Sequence, residues 1–303
     1  MSKGSGKSGA GRILSGLLTA AVVLLLLWWV VIQPLVQPHG NATADYAEAG
    51  EQVKSVLLAR EDETHVYFNT DSYNPIIGAA PVYNKIIKQA MAFSGDPREG
   101  DHLAIGSALT EVEYVQVPQK DGTDNLNMTL RLFYYTDKEQ EQELADRAAD
   151  ILAGLNIEGA SDYEKARAIY NYICANVTYD YEHLDDDDYH LKSTAYAAAV
   201  NGTAVCSGIA DLFYYLANTA GVEAHIKTND DHAWNFVKID GLYYYADPTW
   251  DLGKSEAEYE YFLKGAADFP AHPGNITFEP LGNQFLLKDT FLDYEFSSFA
   301  YGA

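Results

Sequence analysis

The sequence predicts an α+β fold, and three observations carry that expectation. Segments with apolar residues at helical spacing, clearest in "SDYEKARAIYNYICANV", are interspersed with short strand-like runs such as "TEVEYVQV". Asp240-Gly241 is a two-residue hairpin signal between the aromatic-rich runs "HAWNFVKI" and "LYYYAD". A chain of 303 residues, 48% hydrophobic and 13% aromatic, also has ample material for one large or two modest cores.

Taken in order, the chain begins with a short cationic segment, residues 1–12, holding Lys3, Lys7 and Arg12. Ile13 to Ile32 contains no charged residue and carries Trp28 and Trp29, and about 20 such residues suffice to cross a bilayer. The cations before the span predict a cytoplasmic N-terminus, a single membrane pass, and an extracytoplasmic body after a linker at residues 33–44. A cleaved signal peptide ending at "NATA" is the competing reading. The length of the apolar run and the intervening Pro34 and Pro38 favour retention. Beyond residue 44 the chain sets 17 lysines and arginines against all 44 acids, a net charge of −27. That excess argues against nucleic acid or anionic lipid as partners. Asn41, Asn127, Asn176, Asn201 and Asn275 each begin an N-x-T triplet, but two fall in expected helix or next to Cys206 and carry little weight.

Residues 45–154 read as a small α+β domain: a helix near Tyr46 to Ala59, a strand at "HVYFNT", a helix at "VYNKIIKQAMAF", two strands around "PQKDGTDN", and the helical run "DKEQEQELADRAADILAGL". Residues 155–270 form the expected second domain, followed by an extension at 271–303. The helix opening at Ser161 has Glu164 at capping-box spacing, and Ala166, Ile169, Tyr170, Ile173, Cys174 and Val177 make its apolar stripe. Cys174 on that stripe reads as core filling. Asp185 to Asp188 lack the alternation and glycine of a calcium loop and read as a solvated loop, with no metal or other cofactor expected.

The other cysteine sits differently. Ile209, Leu212, Phe213, Leu216 and Ala217 follow helical spacing and Gly221 supplies a C-terminal stop, so Cys206 falls in the first turn of a helix. Unpaired N–H groups and the helix dipole there favour a thiolate and could help to hold an oxyanion. If Asp240 and Gly241 are the two loop residues, cross-strand partners sum to 481 and Asp247 faces Trp234. His232 and Asp247 are then diagonal neighbours on one face with Trp234, Phe236, Tyr243 and Tyr245, while Asn235, Val237 and Tyr244 face the other way. A carboxylate on one ring nitrogen leaves the other free as a base. Spacing alone leaves the bland readings open, since a histidine at a strand start and an Asp-Pro turn are both common in structural roles.

The blocks "YEKARAIYNYICANVTYD", "GTAVCSGIADLFYYLANTAGV" and "DDHAWNFVKIDGLYYYADPTWD", covering roughly Ser161 to Asp251, resemble the transglutaminase-like superfamily of bacterial extracytoplasmic proteins. The resemblance implies a papain-like α+β core, a nucleophile helix packed on an antiparallel sheet, with Cys206 as nucleophile, His232 as base and Asp247 as orienting acid. It implies acyl transfer through a thioester, with an amine or water as acceptor, on protein or peptide amides, cell-wall peptide among them. The calcium dependence of some animal members is not carried over. Ile209 stands where an aromatic residue is usual and "KTNDD" where glycine is frequent; both are expected at the substrate groove. Tyr196 is a positional candidate for a second oxyanion donor. Two alternatives stand beside this reading: a catalytically silent binding or scaffold module, and a Cys174–Cys206 disulfide.

Overall fold

The computed structural model describes residues 42–229, 232–269 and 294–303. The expected span at Ile13 to Ile32 lies outside them, and among the described residues no helix is long and apolar enough to cross a membrane.

The first unit contains α1 (Tyr46–Leu58), β1 (Glu63–Thr70), α2 (Ala80–Ala90), α3 (Asp101–Gly106), β2 (Ser107–Pro118) and β3 (Asp124–Tyr134). The strands form an antiparallel sheet in the order β1-β3-β2. Alternation puts Val66, Phe68, Leu126, Met128 and Leu130 on the inner face, where Val53, Leu57 and Ile86 of the two helices meet them. Asp45 caps α1 by accepting the Ala47 N–H at 2.8 Å. The crossing of α1 and α2 needs Gly50, since a Cβ there would come within 2.4 Å of the Gln89 Cβ.

The second unit is built around α6 (Cys206–Thr219). Before it come α4 (Lys138–Leu155), α5 (Asp162–Asn176), β4 (Thr178–Tyr179) and β5 (Thr203–Ala204). After it comes an antiparallel sheet of β6 (Ala224–Thr228), β7 (Ala233–Ile239) and β8 (Leu242–Ala246) in sequence order. Every residue of α6 from Gly208 to Asn218 is buried. The apolar stripe read from the sequence is therefore only one side of a helix enclosed on all sides, by α5, by the sheet and by the 190–204 segment. Both of its buried polar side chains are satisfied. Asn218 Nδ2 donates to Tyr214 O at 2.9 Å and Ala224 O at 3.0 Å, and Asp211 accepts the Ala195 N–H at 2.8 Å. The capping box of α5 forms between Ser161 and Glu164 as its spacing indicates, and Cys174 is 1% exposed in the core. α4, whose last turn holds the expected boundary at Gly154, places Leu144, Ala148 and Ile151 in this second core.

A buried ion network joins the two units. His102 Nδ1 on α3 bonds Asp211 Oδ1 on α6 at 2.9 Å, and its Nε2 bonds Glu141 Oε2 on α4 at 3.0 Å. Arg60 reaches the same Glu141 at 2.5 Å. Burial disfavours the His102 cation, but the charges of Asp211 and Glu141 outweigh it and raise its pKa to about 10. Removing one partner from such a pair leaves buried charge uncompensated. His102→Gln should therefore cost about 3–5 kcal/mol in urea unfolding near neutral pH. Because folding raises this pKa, the linked stabilisation is complete below about pH 6.5. It is gone above about pH 10. The deficit of the variant should shrink over that interval, and a deficit independent of pH would contradict the assignment.

Candidate active site

Parallel pairing of β4 with β5 brings residues 178–179 beside 203–204, and α6 starts directly afterwards. Val205 has extended backbone at the N-cap, and no side chain among the described residues caps the helix there. First-turn N–H groups of this kind are donors without an intrahelical partner. Gly208 allows the 190–195 segment to close over this turn, because a Cβ would lie 2.7 Å from Thr194 O and 2.8 Å from Lys192 O. Cys206 is half-buried and, like Cys174, a free thiol, so the Cys174–Cys206 disulfide does not form.

The β7–β8 register is the one that the two-residue turn dictates: Ile239 faces Leu242 and Asn235 faces Ala246. Asp240 and Gly241 both adopt positive φ, 51° and 88°, as a type I′ turn requires. Extending the register places Asp247 diagonally from His232, and His232 Nε2 bonds Asp247 Oδ2 at 2.7 Å. Asp247 is wholly buried, and its second oxygen accepts the Thr249 N–H at 2.9 Å. His232 is clamped by Asn229, whose Oδ1 accepts the His232 N–H at 2.7 Å and whose own N–H donates to His232 O at 2.8 Å. Trp234 stacks on the imidazole at 5.8 Å between ring centres, and Trp250 lies 5.6 Å away. These rings limit water at the ion pair.

α6 packs on the opposite face of β7, where Asn235 Nδ2 donates to Ala210 O at 2.9 Å. His232 precedes the strand by one residue, and there its ring interacts with the Cys206 side chain. Burial disfavours its cation, but hydrogen bonds to Asp247 and then to Cys206, with their charges, raise its pKa to about 9. Asp247 engages Nε2, which leaves Nδ1 for the sulfur.

Tyr179 is a residue that sequence reasoning missed. Its hydroxyl lies against Cys206, in hydrogen-bonding reach of both the side chain and the backbone N–H. Burial, and then the charge of the Cys206 sulfur, hold it above the usual phenol range, so it remains a donor. Its position on a two-residue strand, paired with residues 25 positions away, leaves no local signal. Tyr196 is not the donor sought: its hydroxyl donates to Glu143 at 2.9 Å. Ile209 does not touch the groove either. It is fully buried in the core, because the helix is enclosed on that side too. Of "KTNDD", Asn229 holds His232, and Asp230 and Asp231 lie outside the described residues. Around Asp185 to Asp188 the loop carbonyls turn toward Lys192, and no group of three metal-ligating side chains occurs among the described residues. Asp251 is scaffolding: wholly buried, it accepts from Tyr170, Glu260, Tyr261 and Lys254 and so fixes the turn after Asp247.

Residues 150–248 match the family model described as the transglutaminase-like superfamily. These residues form a transglutaminase-like domain. Kyphoscoliosis peptidase of Mus musculus is 27% identical over 146 residues, and that of Homo sapiens 26% over the same length. Each match covers 43% of this chain and 22% of the relative, so the chain spans about a fifth of the length of these relatives. A crystal structure of a TGase aligns with 68% of this chain and 60% of its own, at 16% identity and a TM-score of 0.32.

Removing the Asp247 charge should release the histidine. With Asp247→Asn, the His232 imidazole titration followed by NMR should move from about 9 toward lower pH. A midpoint that stays in place would show that Asp247 does not hold the ring.

Proposed function

We propose that the chain is a thiol enzyme that transfers or hydrolyses the acyl group of protein or peptide amides through a thioester on Cys206. The observation that carries this reading is the continuous contact from the half-buried Cys206 through His232 to the buried Asp247. The transglutaminase-like domain at residues 150–248 supports it, as do relatives named as peptidases.

Each step is written with the residues present. With its pKa raised to about 9, His232 carries a proton at neutral pH and stands beside the Cys206 sulfur that attacks the carbonyl. Carbon–sulfur bond formation pushes charge onto the carbonyl oxygen, where the Tyr179 hydroxyl beside Cys206 is the donor at hand. His232 then protonates the departing amine as the carbon–nitrogen bond breaks, leaving the thioester. Water or a second amine attacks next, giving up a proton to the same imidazole. Asp247 holds the ring and its charge throughout. None of these steps uses a cofactor.

Cys206→Ala should abolish labelling by a thiol-directed acylating probe while leaving the circular dichroism spectrum unchanged. Burial pushes the Cys174 thiol up to about 12, so it should stay unlabelled, and labelling at Cys174 alone would sink the proposal. Tyr179→Phe should slow acylation by about 10²–10³-fold, the usual effect of removing one oxyanion donor. A rate equal to that of the parent would remove Tyr179 from the mechanism.

The proposal includes location. Ile13 to Ile32 would anchor the chain in the cell membrane, with the acidic body outside and no nucleic-acid partner. Alkaline carbonate washing should leave the full-length chain in the membrane pellet. Release into the supernatant would contradict the anchor.

A further inference from the structure

A cleft of about 840 Å³ is lined by His232 and Tyr179, the two side chains that interact with Cys206, and by Cys174 from the core side. One wall is the loop after β4, carrying Tyr181 and Leu184; the other follows Asp247 and carries Trp250, Leu252 and Tyr261. Tyr181 stands at the mouth, 78% exposed, with its ring 4.8 Å from that of Tyr179. Trp250 and Tyr261, also in the lining, meet edge-on at 4.9 Å. Aromatic walls of this kind suit a flat or branched apolar group. The Lys254 ammonium in the lining is already bound by Asp251 at 3.0 Å and Glu260 at 3.4 Å, which leaves it little to offer an anionic group.

The first wall is built in advance. Lys192 Nζ donates to the carbonyl oxygens of His183 at 2.6 Å, Leu184 at 3.0 Å and Asp186 at 2.6 Å. Asp180, itself buried, accepts the His183 N–H at 3.1 Å and meets His183 Nδ1 at 3.0 Å. Lys192 thus acts as a positioning residue that holds Tyr181 and Leu184 in place, and such preorganisation lowers the cost of binding.

The side on which the cleft lies identifies its occupant. In acyl transfer the group next to the histidine is the amine, which takes a proton on leaving and gives one up on attack. We propose, resting on the acyl-transfer reading above, that this cleft binds the amine component, and that this is the α-amine of a peptide residue with an aromatic or branched apolar side chain. Such an α-amine, with a pKa near about 8, is far more often neutral at physiological pH than a lysine side chain near about 10.4. In the step itself the amine lone pair forms a carbon–nitrogen bond to the thioester carbonyl. The carbon–sulfur bond breaks, its electron pair returns to Cys206, and His232 accepts the proton from nitrogen.

p-Nitrophenyl acetate supplies an acyl group without any demand on donor specificity: the thiolate takes the acetyl and nitrophenolate leaves. Turnover would be followed with phenylalaninamide, glycinamide or Nα-acetyl-lysinamide as acceptor, in the full chain and in Tyr181→Ser and Lys192→Met variants. Phenylalaninamide should half-saturate at a concentration at least about tenfold below glycinamide, with Nα-acetyl-lysinamide the poorest, as expected when an apolar pocket is filled. Both variants should bring the first two acceptors together. Equal half-saturation in the parent chain, preference for the lysine side chain, or selectivity that survives both variants would overturn the proposal. A parent chain with no nitrophenolate burst above that of Cys206→Ala would instead overturn the thiol-enzyme reading, and this inference with it.

Discussion

Asp240 and Gly241 both lie at positive φ, so the β7–β8 turn closes in two residues and the pairing that follows leaves no choice of register. His232 and Asp247 meet at 2.7 Å because of it. A slip of one residue would turn every side chain of one strand to the opposite face and separate the imidazole from its carboxylate. What surrounds the pair makes the contact effective: Asp247 is fully buried, Asn229 clamps the His232 backbone, and two tryptophans cover the ring. In that low-dielectric setting the carboxylate keeps the imidazole charged against the opposing effect of burial.

The thiol reaches this pair through a different constraint. α6 is enclosed along almost its whole length, so its first turn has little freedom to shift. Gly208 admits the 190–195 segment on one side, and β4–β5 pairing sets Tyr179 on the other. The first unit contributes through His102, which ties α3 to Asp211 on α6 and to Glu141 on α4. A domain without evident chemistry in its sequence is thereby coupled to the helix that presents the thiol. Its part is positional: His102 lies outside the reacting groups but bonds the element that carries Cys206.

Much of this was legible because the signals are local. The Ser161–Glu164 capping box, the apolar stripe of α5 and the two-residue turn each act over a few residues, and the diagonal pairing of His232 with Asp247 follows from counting. Contacts made over long separations were not legible. His102 and Asp211 are 109 positions apart. Tyr179 meets Cys206 only through a two-residue parallel pairing, and Lys192 holds the cleft wall through backbone carbonyls, which leave no mark in side-chain patterns. The short, almost fully buried strand β6 lacks the alternation that would announce it. Ile209 was misplaced for a related reason: helical spacing reveals one buried stripe but not that a helix is covered all round.

The central claim is that Cys206, with His232 and Asp247, forms a covalent acyl-enzyme. Intact-protein mass spectrometry with peptide mapping, on full-length chain quenched in acid within the first turnover of p-nitrophenyl acetate, tests it most directly. The account predicts one acetyl group, held as a thioester on Cys206 and absent when His232 is replaced by Ala in a chain that still folds. Acetylation confined to lysines, or an equal thioester yield without the histidine, would contradict it.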